Sequence, residues 1–141
     1  MENLSDKDKE LLLKDLLARL LYGVRCRYYD CCEGDYVEGT IRGFERQEYM
    51  DIDGVCIYIE EIKPYLRPMN SMTGDEMQEI EQMNNHSIQH IGTVGVRFEA
   101  FYDTCYNEMY DLFDYLNAHH FDYRGLIRKG LALEAPKGMY N

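Results

Sequence analysis

Tryptophan is absent from this 141-residue chain, and so is any apolar run near the roughly 20 residues that span a bilayer. The second absence excludes a membrane-spanning helix. The first leaves the aromatic content to 13 Tyr and 5 Phe. Tyrosine has an apolar ring and a polar tip, so it serves interfaces as well as cores. Bases are scarce in one long stretch: residues 68–123 hold ten acids and one base, Arg97. With a net charge of −11, this disfavours non-specific binding to DNA or RNA, which needs clustered Lys and Arg. It suits solubility or a basic partner. There is no internal repeat and no low-complexity segment. Gly92-Thr93-Val94-Gly95 is too short and wrongly spaced for a phosphate-binding or dinucleotide turn.

The five cysteines are Cys26, Cys31, Cys32, Cys56 and Cys105. The start, Met1 to Asp6, is acidic and polar rather than a secretory leader, so a reduced, cytoplasmic protein is expected. The glycosylation triplet Asn85-His86-Ser87 then carries no meaning. Hydrophobic residues make up 45% and charged residues 29%, ordinary for a globular protein. The length predicts a single domain over 1–141.

Ser5, with Asp8 three residues on, predicts a capped helix over 5–21. Leu13, Leu16, Leu17, Leu20 and Leu21, widened by Leu11 and Leu12, form its apolar face, and Gly23 ends it. Four strands follow between residues 22 and 66. Val24, Cys26 and Tyr28 alternate with Arg25, Arg27 and Tyr29; Asp30 to Asp35 turns the chain. Tyr36 to Phe44 alternates and contains Gly39 and Gly43, which suggest bends or bulges. Tyr49 to Asp53 leads to the hairpin signal Asp53-Gly54. Val55, Ile57, Ile59 and Ile62 then read as one core-facing strand. This order predicts a half-open, SH3-like small β-barrel flanked by an N-terminal helix and C-terminal helices, an α+β fold. Residues 73–134 read as a mainly helical C-terminal part. Thr73 and Glu76 cap a helix over 73–84, and Phe98 to Asn117 shows the clearest helical period. Residues 84–97 read as a loop. Asp122 heads a short helix ended by Gly130, and Leu131 to Pro136 reads as extended.

Candidate chemistry is thin. Cys26, Cys31, Cys32, His86 and His90 offer zinc donors, but Cys-x4-Cys-Cys is not a zinc spacing and Cys26 shares a face with Val24. Asp30, Glu33 and Asp35 work against a reactive Cys31-Cys32 pair, because a thiolate wants a nearby cation. Asn117-Ala118-His119-His120-Phe121-Asp122-Tyr123-Arg124 gathers polar groups, yet adjacent histidines point apart, and a structural role at a helix end is the plainer reading. No catalytic residue, cofactor or metal is expected.

Ile62-Lys63-Pro64-Tyr65-Leu66-Arg67-Pro68-Met69-Asn70-Ser71-Met72-Thr73 and Asp114-Tyr115-Leu116-Asn117-Ala118-His119-His120-Phe121-Asp122-Tyr123-Arg124-Gly125-Leu126-Ile127 carry a further signature, joined by Gly130 to Pro136 and Gly138-Met139-Tyr140. Over most of its length the chain resembles a family of uncharacterised proteins encoded in gut Bacteroides-type bacteria, their phages and mobile elements. The resemblance implies a phage or prophage setting and assigns no activity, cofactor or site. The function expected is a non-enzymatic protein-interaction or adaptor protein. The alternatives are a nucleic-acid-linked regulator and an acidic DNA mimic that inhibits a host protein. Glu108, Asp111 and Asp114 on the third helix are the candidate partner-binding residues, steering a basic protein partner.

Overall fold

The computed structural model describes residues 4–46, 48–83 and 106–140. They form an α+β protein with three α-helices and one six-stranded mixed sheet. Helix α1 (Asp6–Ala18) begins as its sequence demands: Ser5 accepts a hydrogen bond from the Asp8 amide at 3.1 Å. A 3-10 turn (Leu20–Tyr22) and Gly23 at φ 64° then send the chain into the sheet. The buried residues of α1 are Leu12, Asp15 and Leu16. Leu17 and Leu21 face outward, at 40% and 90% exposure, so the apolar face is centred one residue earlier than the leucine run suggests.

Strands β1 (Arg25–Asp30), β2 (Asp35–Arg46), β3 (Tyr49–Ile52), β4 (Val55–Tyr58), β5 (Ile62–Leu66) and β6 (Leu133–Glu134) lie in the order β4-β3-β2-β1-β5-β6. All pairings are antiparallel except β5 with β6. The twelve-residue β2 pairs with β1 through its first half and β3 through its second, with irregularities beside Gly43 and Phe44. Gly39 sits at a close approach of two strands: a Cβ there would lie 2.6 Å from Ile52 Cγ2. At the β3–β4 turn, Asp53 and Gly54 both have positive φ, 50° and 90°, as a two-residue hairpin of matching twist requires.

The structure departs from the sequence reading in two ways here. The expected strand from Val55 to Ile62 is broken by a 3-10 turn at Ile59–Glu61. Only Ile59 and Ile62 of that run are buried, whereas Val55 lies on the edge strand at 49% exposure. The barrel does not close, either. After the 3-10 turn the chain crosses to the far side of β1, and β6 extends that edge, so the sheet grows outward and β4 stays unpaired with it.

Helix α2 (Gly74–Met83) opens on the predicted reciprocal cap. Thr73 Oγ1 accepts from the Glu76 amide at 3.2 Å, and Glu76 Oε1 accepts from the Thr73 amide at 2.9 Å. Helix α3 (Tyr106–Ala118) is the described part of the third helix; residues 84–105, including the start of that pattern, lie outside the described residues. The short helix expected after Asp122 is a run of turns instead. The Asp122 carboxylate nevertheless accepts from the amides of Leu126 and Ile127 at 2.8 and 3.0 Å, so its capping role survives without the helix. Two apolar clusters result. The larger joins α1, the sheet and Leu126, Leu131 and Ala132. The smaller joins Met72, Ile80, Leu112, Leu116 and Phe121. Burying each such side chain contributes about 1.5–3 kcal/mol.

Candidate functional site

A cavity of about 590 Å³ opens where α1, the β1–β2 hairpin, the 3-10 turn and β5 meet. Its lining comes from both sides of the sheet. In β1, Cys26 and Tyr28 face the core, so Arg27 and Tyr29 face away from it. Register places Arg27 directly opposite Lys63 on β5, and Tyr28 opposite Ile62. Arg27, Tyr29, Tyr36 and Lys63 therefore line one side of the cavity. Leu4, Leu12, Ile62 and Leu131 line the other.

The polar side is aromatic and cationic. Tyr29 and Tyr36 flank the hairpin turn and meet edge to face, with ring centroids 5.5 Å apart. The Arg27 guanidinium lies 4.8 Å from the centre of the Tyr36 ring. Tyr36 is nonetheless 61% exposed. Neither Arg27 nor Lys63 makes an ion pair among the described residues. Of the neighbouring carboxylates, Glu38 accepts from the Tyr65 hydroxyl at 2.6 Å and Glu60 pairs with Lys9 at 3.0 Å, while Glu61, also in the lining, makes no ion pair among the described residues. Alternation along β1 showed which residues share a face. Only the β1–β5 register, set by the 3-10 turn, shows that Arg27 and Lys63 stand together.

The His-His segment is brought together with other residues, as a junction. His120 adopts φ 65° and its carbonyl accepts from the Arg67 amide at 2.7 Å, while the Asp122 amide donates to Arg67 at 2.8 Å. The two histidines diverge. His119 stacks on Tyr115 and lies 3.2 Å from Glu76, whereas His120 is buried and stacks on Tyr140 at 3.7 Å. Burial, aided by the Arg19 charge, pushes the His120 imidazole down to about 4. Burial opposes ionisation of Glu76, but hydrogen bonds from Arg67 and Thr73 outweigh it and hold that carboxyl at about 2. Beneath this junction, buried Asp15 accepts from Arg19 at 2.9 and 3.0 Å and from Arg124 at 3.1 Å. Arg19 also donates to the Phe121 carbonyl at 2.6 Å. Tyr123 ties Arg124 to Asn117 through its hydroxyl.

The cysteines separate. Cys26 is a core residue whose thiol burial pushes up to about 12. Cys31 and Cys32 are exposed at the hairpin tip, where their sulfurs and the Asp30 carboxylate lie within 4.8 Å of one another. That carboxylate already accepts from the amides of Cys32 and Glu33, which shapes the turn. His86 and His90 lie outside the described residues. Of the expected partner-binding acids, Asp111 and Asp114 are exposed on α3; the Glu108 side chain lies outside the described residues. Among the described residues no helix is long and apolar enough to cross a membrane. No protein-family model, curated protein or solved structure matches the chain.

Proposed function

We propose that this chain is a non-enzymatic protein-interaction module of a phage or mobile element, and that it receives its partner at the cavity beside β5. The observation that carries this reading is the lining itself: two exposed tyrosines and two cations with no carboxylate of their own, facing an apolar wall. Exposed aromatics next to apolar surface are the composition that protein interfaces favour. An SH3-like reading of the sheet supports it. The long β2 is shared between two pairings, and a 3-10 turn precedes the strand that returns to β1. Such scaffolds present loops and edges to ligands. Asp111, Asp114 and Glu108 would add a steering field outside the contact itself.

The test places a photo-crosslinking amino acid at Tyr36, with a control at Glu45, exposed on the same strand and outside the lining. Irradiation in a lysate of gut Bacteroides cells is expected to give one discrete adduct at 36. It should be missing at 45 and lost when Arg27→Glu is added. Equal adducts at both positions would overturn the reading.

A further inference from the structure

β4 is the outer strand of the sheet, and its residues stand in solvent. Val55 and Tyr58 are 49% and 44% exposed, and Cys56 between them is exposed as well. The β3–β4 register shows which backbone groups point off this edge. Ile52 and Val55 close the two-residue turn, so they form a hydrogen-bonded pair, as do Met50 with Ile57 and Glu48 with Ile59 at alternate positions. The Ile59 amide does donate to the Glu48 carbonyl, at 2.8 Å. A trans peptide sets its N–H and C=O in opposite directions. The amides of Val55, Ile57 and Ile59 point to β3, so the carbonyls of Gly54, Cys56 and Tyr58 point away from it. The carbonyls of Val55 and Ile57 point to β3, so the amides of Cys56 and Tyr58 also point away. The Tyr58 carbonyl is taken by the 3-10 turn that follows, and the Gly54 amide is given to the Asp51 carboxylate at 2.8 Å. Two acceptors, on Gly54 and Cys56, and two donors, on Cys56 and Tyr58, are left without a partner among the described residues.

From these groups we infer that β4 is a self-association edge: two copies of this chain join antiparallel through residues 54–58, about a two-fold axis at Cys56, into one continuous sheet. The free set is complementary to itself. With Cys56 opposite Cys56 of the second copy, the two residues exchange both of their bonds, and each Tyr58 amide meets the Gly54 carbonyl of the other copy. The two groups already engaged, the Gly54 amide and the Tyr58 carbonyl, fall opposite each other. A slip of two residues would instead aim the Cys56 amide at the engaged Tyr58 carbonyl. Side chains agree with this register. Met50 and Ile52 are buried, so Ile57 and Val55 across from them lie on the core-bearing face, and Val55 falls opposite Ile57 of the second copy. The Tyr58 ring has Gly54, which carries no side chain, across from it. β4 itself contains no charged residue. Beyond one end, Arg42 lies beside Asp53; beyond the other, Glu48 and Glu60 share Lys9. Antiparallel pairing sets the arginine end of each copy toward the carboxylate-rich end of the other. An open, uncharged, β-branched edge is otherwise a liability that proteins cover.

Sedimentation equilibrium of the full chain under reducing conditions tests this. A reversible dimer is expected, with a dissociation constant between about 10 μM and 1 mM, because so short a contact is weak. Cys56→Pro removes the donor on the axis at an edge position where proline is tolerated, and should weaken the dimer at least tenfold with little change in melting temperature. Val55→Lys puts a charge opposite Ile57 of the second copy and should do the same without touching the backbone. Diamide oxidation at dimer-forming concentration, followed by peptide mapping, should give a Cys56–Cys56 disulfide between copies as the main cross-link of Cys56, since paired strands bring those α-carbons to about 5.5 Å. A chain that stays monomeric at 1 mM, a dimer that survives both substitutions, or Cys56 cross-linked mainly to Cys31 or Cys32 would each overturn the inference. The pairing involves neither Tyr36 nor Arg27, so it stands or falls apart from the partner site proposed above.

Discussion

Two clusters of this molecule use the same residue types and reach opposite ends. At the junction below α3, Asp15, Arg19, Arg124 and Tyr123 are locked together, with Asp15 and Arg19 almost fully buried. At the cavity, Arg27, Lys63, Tyr29 and Tyr36 stand half in solvent, and the cations lack carboxylates. In the first cluster every charge has a partner within the chain, as burial demands. In the second, solvent relieves that demand and leaves the charges free for another molecule. Arginine and tyrosine thus fix the fold in one place and stand without a counter-charge in the other, where we propose recognition. What decides is whether the chain supplies the counter-charge.

The sharpest way to break the comparison is to remove the shared carboxylate. Asp15→Ala strands two arginines, one of them buried, and should cost about 3–5 kcal/mol in a denaturant titration. A loss no larger than that of a surface change would mean the junction does not hold the fold. Acid should act on the same region. His120 is held at about 4 against an ordinary 6.5, so the unfolded chain takes up its proton first. The stability it contributes is present above pH 6.5 and is lost as pH falls toward 4. Glu76, held at about 2 against an ordinary 4.5, adds a second loss between those values as its carboxylate is protonated. Urea midpoints at several pH values should show the first loss flattened in His120→Asn, a residue suited to the left-handed backbone at that position. An unchanged pH profile would take His120 out of the account.

Smaller effects belong to the sheet's rim. Ile57 is half-buried on the β4 edge, so Ile57→Ala should cost less than about 2 kcal/mol rather than a core-sized penalty. At the cavity, Arg27→Gln and Lys63→Glu should each change stability by no more than about 0.5 kcal/mol. Smallest of all, changing Glu108, Asp111 and Asp114 to Asn or Gln should leave the melting temperature unmoved and slow partner association at low salt, since exposed charges act mainly on encounter rate. Unaltered rates would make that face a matter of solubility alone.

Much of the local structure was legible in the sequence because short-range rules set it. Ser5 and Thr73 cap their helices, Asp53-Gly54 makes its turn, and Met50 and Ile52 alternate into the core as period-2 residues should. Long-range pairing was less legible. Nothing in Val55 to Ile62 marks Ile59–Glu61 as the point where the strand breaks and the chain crosses to β1, since isoleucine suits either arrangement. The cavity depends on that crossing, because it alone brings Lys63 opposite Arg27. The His-His segment was recognisable as structural, but its attachment to Arg67, about 50 residues earlier, is a tertiary contact with no local signature.

One paired measurement tests the division between the two clusters most directly: thermal unfolding and the yield of the photo-adduct at Tyr36, determined side by side for Asp15→Asn and Lys63→Glu. A crossed result is expected. Asp15→Asn should lower the melting temperature and, while folded, form the adduct like the parent chain. Lys63→Glu should melt like the parent chain and lose most of the adduct. Parallel changes in both properties for both variants would contradict the division.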